Sequence, residues 1–295
     1  MKKFSIILGA IILVLFVTLV IWGVYCDNTI AITNYCVNNT KNDTKLKFVV
    51  ITDLHNKEYG EKNADLAELV KEQNPDFIAV CGDMVNRGDP DTTKMKDVLK
   101  KLADIAPTYC CLGNHERDNA AKFGTDFKSE TNSTGAVLLD NEYIKFTKNG
   151  KSVLIGGMSD YPYYEFYTPD DDVPSRTLWE EFAEKAKNNF TILLHHQPEY
   201  IAEDAKKTDI DLIVCGHTHG GQIQLPFIGG VIAPNQGLFP KYDKGEFDLD
   251  GTNDGTKMIV CAGLSNTVFI PRINNQVEIA VSYTHLRAHE TLMNL

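Results

Sequence analysis

The chain has 295 residues and a formal net charge of -11, from 40 acidic and 29 basic side chains. Its 43% of apolar residues excludes a disordered chain, a collagen-like fibre and a minimal disulfide scaffold. The acidic balance argues against electrostatic capture of nucleic acid, which requires a basic surface, but a small phosphorylated substrate stays compatible because bound metal ions can reverse the local field.

The first predicted element is an apolar helix close to the N-terminus. Residues 4–25 carry no charge and follow Lys2 and Lys3. A helix of this length spans roughly 33 Å, enough to cross the hydrocarbon core of a bilayer. We interpret residues 1–27 as a retained transmembrane signal-anchor. The alternative is a cleaved signal peptide, which would have a shorter apolar region and a small-x-small cleavage site.

The positions of the basic residues around this helix predict its orientation. Two lysines precede it, and no basic residue follows until Lys41. The positive-inside rule then places the N-terminus in the cytoplasm. We therefore expect a single-pass protein of the cell membrane with an extracytoplasmic main domain.

After the anchor, residues 28–45 are predicted to form a strand and a polar, Asn-rich linker. From residue 46 onward, short apolar runs typical of strands alternate with amphipathic helical segments. The predicted strands lie at 47–52, 77–81 and 107–112, and the predicted helices at 64–73 and 95–102. This alternation is typical of βαβ crossovers and predicts an α/β fold with a largely parallel region.

The second half of the chain changes character. Predicted strands at 137–139, 143–147 and 152–157 follow one another closely, with Asn149-Gly150 as a hairpin turn. An acidic, aromatic stretch at 161–175 is interpreted as a solvated loop. The remaining predicted elements are a helix at 178–186, a short helix near Ile201, and strands at 190–194, 211–215, 222–225, 258–262 and 277–281.

Polar side chains follow five of the predicted strands directly. They are Asp53-Leu54-His55, Gly82-Asp83, Gly113-Asn114-His115-Glu116, His195-His196 and Gly216-His217-Thr218-His219. Because open α/β sheets build their sites at the carboxyl ends of strands, we expect the five clusters to converge in one crevice. Carboxylate, imidazole and amide ligands without a thiolate suit Mn, Fe or Zn. Their number suffices for two ions, and a shared Asp could bridge them at about 3.5–4 Å.

Together with Arg87, these motifs resemble those of the calcineurin-like metallophosphoesterases. The resemblance covers about residues 46–280. The segments 216–222, 225–229 and 237–240 are similar to a membrane-anchored bacterial branch described as phosphodiesterases or as UDP-2,3-diacylglucosamine diphosphatase-like proteins. The resemblance implies a metal-dependent phosphoric ester hydrolase with a four-layer αββα sandwich, in which two mixed sheets are flanked by helices.

The resemblance also implies a role for each motif residue. The implied metal ligands are Asp53, His55 and His219 for the first ion, Asn114, His196 and His217 for the second, and Asp83 as the bridge. His115 would protonate the leaving oxygen or stabilise the developing charge. Arg87 and Asn114 would contact the substrate, and metal-bound hydroxide would be the nucleophile.

One position departs from the family motif, and one pair of neighbouring histidines offers two candidates for the same ligand. Asn86 occupies a place where the family motif usually has Asp, so the charge that would orient Arg87 or His115 is missing. Of the adjacent His195 and His196, only one should be a ligand. Both the family pattern and the period-two alternation of a strand favour His196, with His195 on the opposite face.

Residues 281–295 resemble one reading frame of a sequencing-library adapter. We interpret them as a non-native tail and discount His285 and His289 as ligands. The catalytic domain is accordingly predicted to span residues 46–280.

The predicted function is hydrolysis of a phosphomonoester, phosphodiester or diphosphate, such as an envelope lipid or a sugar-nucleotide precursor, by a di-metal centre. The alternative is a catalytically silent module of the same fold that binds a metal or phosphate ligand. A nuclease would share the metal site, but the acidic charge weighs against it. The membrane is the expected partner, through the N-terminal helix, and no nucleic acid or protein partner is predicted.

Overall fold

Two six-stranded β-sheets face each other, and helices cover the outer face of each. The computed structural model describes residues 2–37, 41, 44–158, 174–251, 255–266 and 270–284. The helices are α1 Lys2–Asn28, α2 Ala64–Glu72, α3 Thr93–Ile105, α4 Asn114–Phe123, α5 Phe127–Asn132, α6 Pro174–Ala186 and α7 Pro198–Ala205.

The strands differ widely in length. They are β1 Ala31–Val37, β2 Lys47–Ile51, β3 Phe77–Cys81, β4 Thr108–Cys111, β5 Val137–Leu138, β6 Glu142–Lys148, β7 Lys151–Gly157, β8 Thr191–Leu194, β9 Leu212–Cys215, β10 Gln224–Leu225, β11 Gly229–Gly230, β12 Ile232–Ala233, β13 Gly237–Leu238, β14 Gly245–Asp248, β15 Lys257–Val260 and β16 Glu278–Thr284.

Both large sheets are mixed. The first has the order β1-β16-β2-β3-β4-β5 and is parallel except where β16 pairs with β2. The second has the order β14-β15-β9-β8-β7-β6, with antiparallel strands at its two edges and a parallel centre. The parallel centre of each sheet places the carboxyl ends of neighbouring strands at one edge.

Three apolar layers hold the sheets and helices together. Along β2 the side chains alternate: Val49 and Ile51 pack with α2 and α3, whereas Phe48 and Val50 point into the space between the sheets. On the far side, α6 and α7 pack on the second sheet through residues such as Phe182. This period-two alternation produces helix, sheet, sheet and helix in sequence, which confirms the predicted αββα sandwich.

The N-terminal helix α1 is long and apolar enough to cross a membrane, and its apolar stretch is not buried against the rest of the chain. Only its last turns contact the domain. The Cys26 carbonyl accepts a hydrogen bond of 2.9 Å from the Val277 N–H, and Cys26 is buried. The Lys57 ammonium donates to the Asp27 carbonyl. The exit of the helix is therefore attached to the domain by direct contacts.

Three features differ from the sequence-based predictions. Helices α4 and α5 were not predicted, because their polar sequences lack a clear apolar period. The closely spaced strands predicted after residue 137 form only the β6–β7 hairpin, since β8 returns parallel to β7. Strand β16 continues to Thr284, four residues into the segment interpreted as a tail. Residues 161–173 of the predicted loop and the tail residues 285–295, with His285 and His289, lie outside the described residues.

Candidate metal centre

The structure brings the predicted clusters together where strands of both sheets end. Asp53 and His55 follow β2, Asp83 follows β3, and Asn114 and His115 begin α4 directly after β4. From the second sheet, His196 follows β8, and His217 and His219 follow β9. All of these side chains are buried or nearly so. The convergence that was expected from the strand ends is therefore present.

Two carboxylate oxygens form the centre of the cluster. Asp83 Oδ2 lies 3.1 Å from His196 Nε2 and 3.7 Å from His55 Nε2. Asp53 Oδ1 lies 3.6 Å from His55 Nε2 and 3.9 Å from His219 Nε2. His55 thus lies between the two carboxylates, and imidazoles surround both oxygens.

The second oxygen of each carboxylate is used to fix its orientation. Asp53 Oδ2 accepts hydrogen bonds of 2.8 Å from the Thr52 hydroxyl and 3.0 Å from the His217 N–H. Asp83 Oδ1 accepts one of 2.8 Å from the His115 N–H. Because these donors hold one oxygen of each group, the other is directed at the centre.

Backbone carbonyls determine which histidine nitrogens face the centre. His196 Nδ1 lies 2.6 Å from the Cys81 carbonyl oxygen, and His219 Nδ1 lies 3.1 Å from that of Ser265. A carbonyl can only accept, so in both rings Nδ1 carries the proton. In both rings Nε2 therefore presents a lone pair to the carboxylates, as a metal ligand must.

Backbone strain is concentrated at the same positions. Asp53, His55, Asp83, His217 and His219 all have positive φ, between 47° and 70°. Non-glycine residues adopt this region rarely, and it costs free energy that the surrounding structure must supply. This clustering of strained residues is typical of a functional site.

Close packing behind the ligands requires glycine. A Cβ on Gly216 would lie 2.1 Å from Thr52 Oγ1 and 2.5 Å from Asp53 Oδ2. Any side chain there would displace the carboxylate. The glycine of the Gly216-His217 motif is thus explained by the approach of β9 to the end of β2.

The ionisation of the cluster favours cation binding. Burial alone would raise the pKa of Asp53, but the imidazoles, His196 first, hold it well below its usual value. Burial disfavours the imidazolium and lowers the pKa of His217 and of His219 to about 3. At neutral pH Asp53 is consequently a carboxylate and His217 and His219 are neutral imidazoles, the forms that bind metal.

An observation that does not depend on the sequence motif also indicates that these residues can hold metal ions. Asp53 Oδ1, His55 Nε2 and Asn114 Oδ1 are buried and have no hydrogen-bond partner among the described residues. Buried polar atoms normally have hydrogen-bond partners, so several unpaired acceptor atoms in one cluster fit the ligands of a cation. Ligand atoms lie within 4.8 Å of one another in three groups: Asp53, His55 and His219; Asp83, His196 and His217; and His55, Asp83 and His115. The first two contain the imidazole and carboxylate ligands expected for the two ions.

Asn86 and Arg87 have partners that the motif did not indicate. Asn86 Nδ2 donates to the His55 carbonyl at 3.0 Å, so this side chain supports the loop of a ligand. Arg87 instead pairs with Asp118, at 3.1 Å between Nη1 and Oδ2. The carboxylate that Asn86 lacks is therefore supplied to Arg87 from the first turns of α4.

The two adjacent histidines point in different directions. His196 faces both carboxylates, whereas His195 Nδ1 lies 3.5 Å from the Met158 carbonyl. Burial lowers the pKa of His195 to about 4. This arrangement matches the expected alternation of the two side chains.

Glu116 has a role that sequence reasoning missed, although it belongs to the quoted motif. Its carboxylate accepts hydrogen bonds from four backbone N–H groups, those of Gly113, Asp83, Met84 and Val85, at 2.6–3.1 Å. It thereby ties the start of α4 to the loop that carries Asp83. Its position three residues into a helix that starts after Gly113 was the available signal.

Three further residues near the cluster were not predicted. The side-chain amides of Gln197 and Asn235 each lie 3.2 Å from His217 Nε2. Arg272 is completely buried and donates to the Ser265 carbonyl, the same oxygen that holds His219. Asn235 and Arg272 lie far from the motifs along the chain, which explains why the sequence did not reveal them, whereas Gln197 directly follows His196.

Comparison with known proteins agrees with this geometry. Residues 46–221 match the family described as calcineurin-like phosphoesterase. Phosphodiesterase YaeI of Escherichia coli is 29% identical over 65% of this chain and 67% of its own length. The uncharacterized metallophosphoesterase YkuE of Bacillus subtilis is 29% identical over 80% of this chain and 77% of its own.

A solved structure supports the fold. The structure of TT1561 from Thermus thermophilus, 11% identical in sequence, aligns with a TM-score of 0.50 over 75% of this chain and 91% of that one. The family match covers more than half of the chain and includes the clusters from Asp53 to His219. The chain therefore belongs to the calcineurin-like phosphoesterases and is a metal-dependent phosphoesterase.

Proposed function

We propose that the protein hydrolyses a phosphomonoester, phosphodiester or diphosphate with two divalent ions bound between its two sheets. The observation that carries the proposal is the pair of carboxylate oxygens, Asp53 Oδ1 and Asp83 Oδ2, each surrounded by imidazoles and both close to His55. Two such carboxylate oxygens suit a two-ion centre, which would stabilise both the attacking and the leaving oxygen of an in-line phosphoryl displacement.

The ligand assignment follows the two groups of side chains. Asp53, His55 and His219 would hold the first ion, His196 and His217 with Asn114 would hold the second, and Asp83 would be shared between them. Mn, Fe or Zn suits this set of oxygen and imidazole ligands. When bound, the ions would neutralise charge on the phosphoryl oxygens and supply the hydrolytic nucleophile at neutral pH.

His115 is proposed to transfer the proton to the leaving oxygen. Its Nδ1 lies 3.2 Å from the Arg87 backbone nitrogen, and its Nε2 lies 3.9 Å from Asp83 Oδ2, at the edge of the cluster. Burial lowers the pKa of His115 to about 4 in the free protein. A bound phosphate anion beside the ring would favour the imidazolium, which is the form that can give a proton to the leaving oxygen.

Arg87 is proposed to bind a phosphoryl oxygen. Its Nε lies 3.3 Å from His115 Nε2, and its side chain remains half exposed beside Asp118. The guanidinium and the imidazole are therefore placed to contact the same phosphate group. Asn114, which begins α4, is proposed to contact the substrate as well as the second ion.

The relatives and the N-terminal helix bear on the substrate class and the location. The name of YaeI as a phosphodiesterase favours a phosphodiester among the three ester classes. The N-terminal helix and the lysines before it support a catalytic domain of residues 46–280 outside the cytoplasm. An envelope lipid or a sugar-nucleotide precursor, as in the UDP-2,3-diacylglucosamine diphosphatase-like branch, is proposed as the substrate because the helix would hold the site near the bilayer.

Hydrolysis of bis-p-nitrophenyl phosphate by the full chain in detergent, with Mn²⁺, tests the proposal. Asp83→Ala should abolish turnover, and Asp104→Ala, at an exposed site on α3, should not change it. Full turnover in excess chelator would contradict the two-ion chemistry. Tight metal binding without turnover of any phosphoester would instead identify a silent binding module.

A further inference from the structure

A long uncharged segment follows the last metal-ligand motif. Residues 220–240 contain no charged side chain, in a chain where 23% of residues are charged. The segment forms two short hairpins, β10–β11 and β12–β13, which we call the apolar hairpins (residues 224–239). A surface segment of this length without charge is unusual for a face that meets only water.

The apolar hairpins expose large side chains that the rest of the described domain buries. Phe227 is fully exposed, and Ile228, Leu238 and Phe239 are 64%, 68% and 60% exposed. Outside α1, no other large apolar side chain in the described part of the chain is more than half exposed. Phe227 and Ile228 lie between β10 and β11, and Leu238 and Phe239 lie at the end of β13, so each of the two hairpins presents an exposed apolar surface.

The backbone holds two of these aromatic side chains in a rare conformation. Phe227 and Phe239 have φ values of 67° and 54°. Bulky residues seldom adopt this region, and an exposed ring gains no packing that would offset the strain. Binding of the two rings to a partner outside the domain would account for both their exposure and their rare backbone conformation.

The apolar hairpins are connected to the exit of α1 by one short segment. The Gln224 N–H donates to the Ile273 carbonyl at 3.0 Å, and Ile273 N–H donates to the Gln222 carbonyl at 3.2 Å. One residue earlier, the Arg272 carbonyl lies 3.5 Å from where a Cβ on Gly23 of α1 would be. The hairpins and the end of the apolar helix therefore contact the same short segment.

A cavity is lined in part by the apolar hairpins. It has a volume of about 240 Å³ and is lined by Gln222, Ile232, Ala233, Pro234 and Ile270. Pro234 adjoins Asn235, whose amide contacts His217, and Gln222 lies three residues after His219. The cavity is smaller than the roughly 300–1,000 Å³ of a pocket that encloses a drug-sized ligand, but its apolar walls suit part of an alkyl chain.

We infer that the apolar hairpins insert into the surface of the bilayer that α1 spans, and that the cavity receives an acyl chain of a membrane-embedded phospholipid substrate. This inference rests on the proposed phosphoesterase function and adds the substrate class. Aromatic and aliphatic side chains at an interface beside a membrane helix bind lipid through burial of apolar area. The metal centre then receives the phosphate of a lipid that need not leave the membrane.

Insertion is tested with the full chain in phosphatidylcholine nanodiscs with and without brominated acyl chains. The tryptophan of Phe227→Trp should be quenched by brominated lipid, after subtraction of the wild-type signal from Trp22 and Trp179. The matched control is Phe123→Trp, at the exposed end of α4 furthest from the metal centre, which should not be quenched. Equal quenching of the two variants would overturn membrane insertion of the apolar hairpins. Burial of the Phe227→Trp side chain by self-association of the protein, without quenching by brominated lipid, would overturn it as well.

The substrate class is tested by comparing two kinds of substrate in the same nanodiscs. The double variant Leu238→Ser/Phe239→Ser should keep kcat/KM for bis-p-nitrophenyl phosphate within about twofold. It should lose at least tenfold on the lipids that the wild type cleaves among phosphatidic acid, phosphatidylglycerol and diacylglycerol diphosphate. Equal loss on both kinds of substrate, or wild-type cleavage of the soluble ester alone, would overturn the acyl-chain site. If the wild type cleaves nothing, the proposed function fails, and the quenching result still decides membrane insertion of the apolar hairpins.

Discussion

His196 Nε2 lies 3.1 Å from Asp83 Oδ2, although the two residues follow strands of different sheets. The Cys81 carbonyl at the end of β3 accepts from His196 Nδ1, so the same strand that precedes Asp83 also orients His196. The centre thus depends on the packing of one sheet on the other. The side chains that follow the strands of one sheet do not complete the cluster without those of the other.

Removal of His196 should separate its role from that of its neighbour. We expect His196→Ala to lose one of two bound ions and at least about 100-fold in kcat/KM, because even loss of an outer-shell partner costs about 10–100-fold in metal affinity or activity. His195→Asn should retain both ions. Elemental analysis of the purified proteins checks this, and the reverse result would assign the ligand to His195.

Glu116 is expected to matter for stability as well as for metal binding. Glu116→Ala leaves four backbone N–H groups without their acceptor, and each buried unsatisfied donor costs about 1–3 kcal/mol. We predict a decrease of at least about 3 kcal/mol in the free energy of unfolding, measured with urea. A decrease below 1 kcal/mol would show that water replaces the carboxylate easily.

Two glycine substitutions provide a matched pair. Gly216→Ala places a Cβ 2.1 Å from Thr52 Oγ1 and should displace Asp53, with loss of the first ion. Gly88→Ala has nothing within 4 Å of its Cβ and should leave metal content and activity unchanged. Metal content after dialysis distinguishes the two. Normal occupancy in Gly216→Ala would contradict the close packing behind the carboxylate.

The metal-free protein should lose stability in mild acid. Burial lowers the pKa of His115 and of His195 to about 4, and that of His217 and His219 to about 3, from a usual value of 6.5. Between pH 6.5 and these values the unfolded chain binds more protons than the folded one. The free energy of unfolding therefore falls as the pH falls, by about 1.4 kcal/mol per pH unit for each proton.

Unfolding of the metal-free chain by urea at pH 7, 6 and 5 measures this dependence. His195→Gln removes one of the four groups without touching an expected ligand, and its slope should be shallower by about one proton. A wild-type stability that is constant from pH 7 to pH 5 would show that these histidines take up protons in the folded protein as readily as in the unfolded chain.

The sequence predicted much of the fold because the apolar runs of β2, β3, β8 and β9 are short, buried and followed by glycine or polar residues. Helix α4 escaped prediction because its buried residues are the polar ones that build the site, such as Asn114 and Glu116. Arg272 and Asn235 also escaped, since only the folded chain brings them to His219 and His217. Asn86 could be identified as unusual, but its replacement by Asp118 as the partner of Arg87 required the structure.

The most direct test of the two-ion centre is a titration of metal-stripped full chain with Mn²⁺, with hydrolysis of bis-p-nitrophenyl phosphate recorded at each metal-to-protein ratio. We predict that activity rises with the second equivalent and reaches its plateau at two ions per chain. Full activity at one equivalent, or in the absence of added metal, would contradict the account.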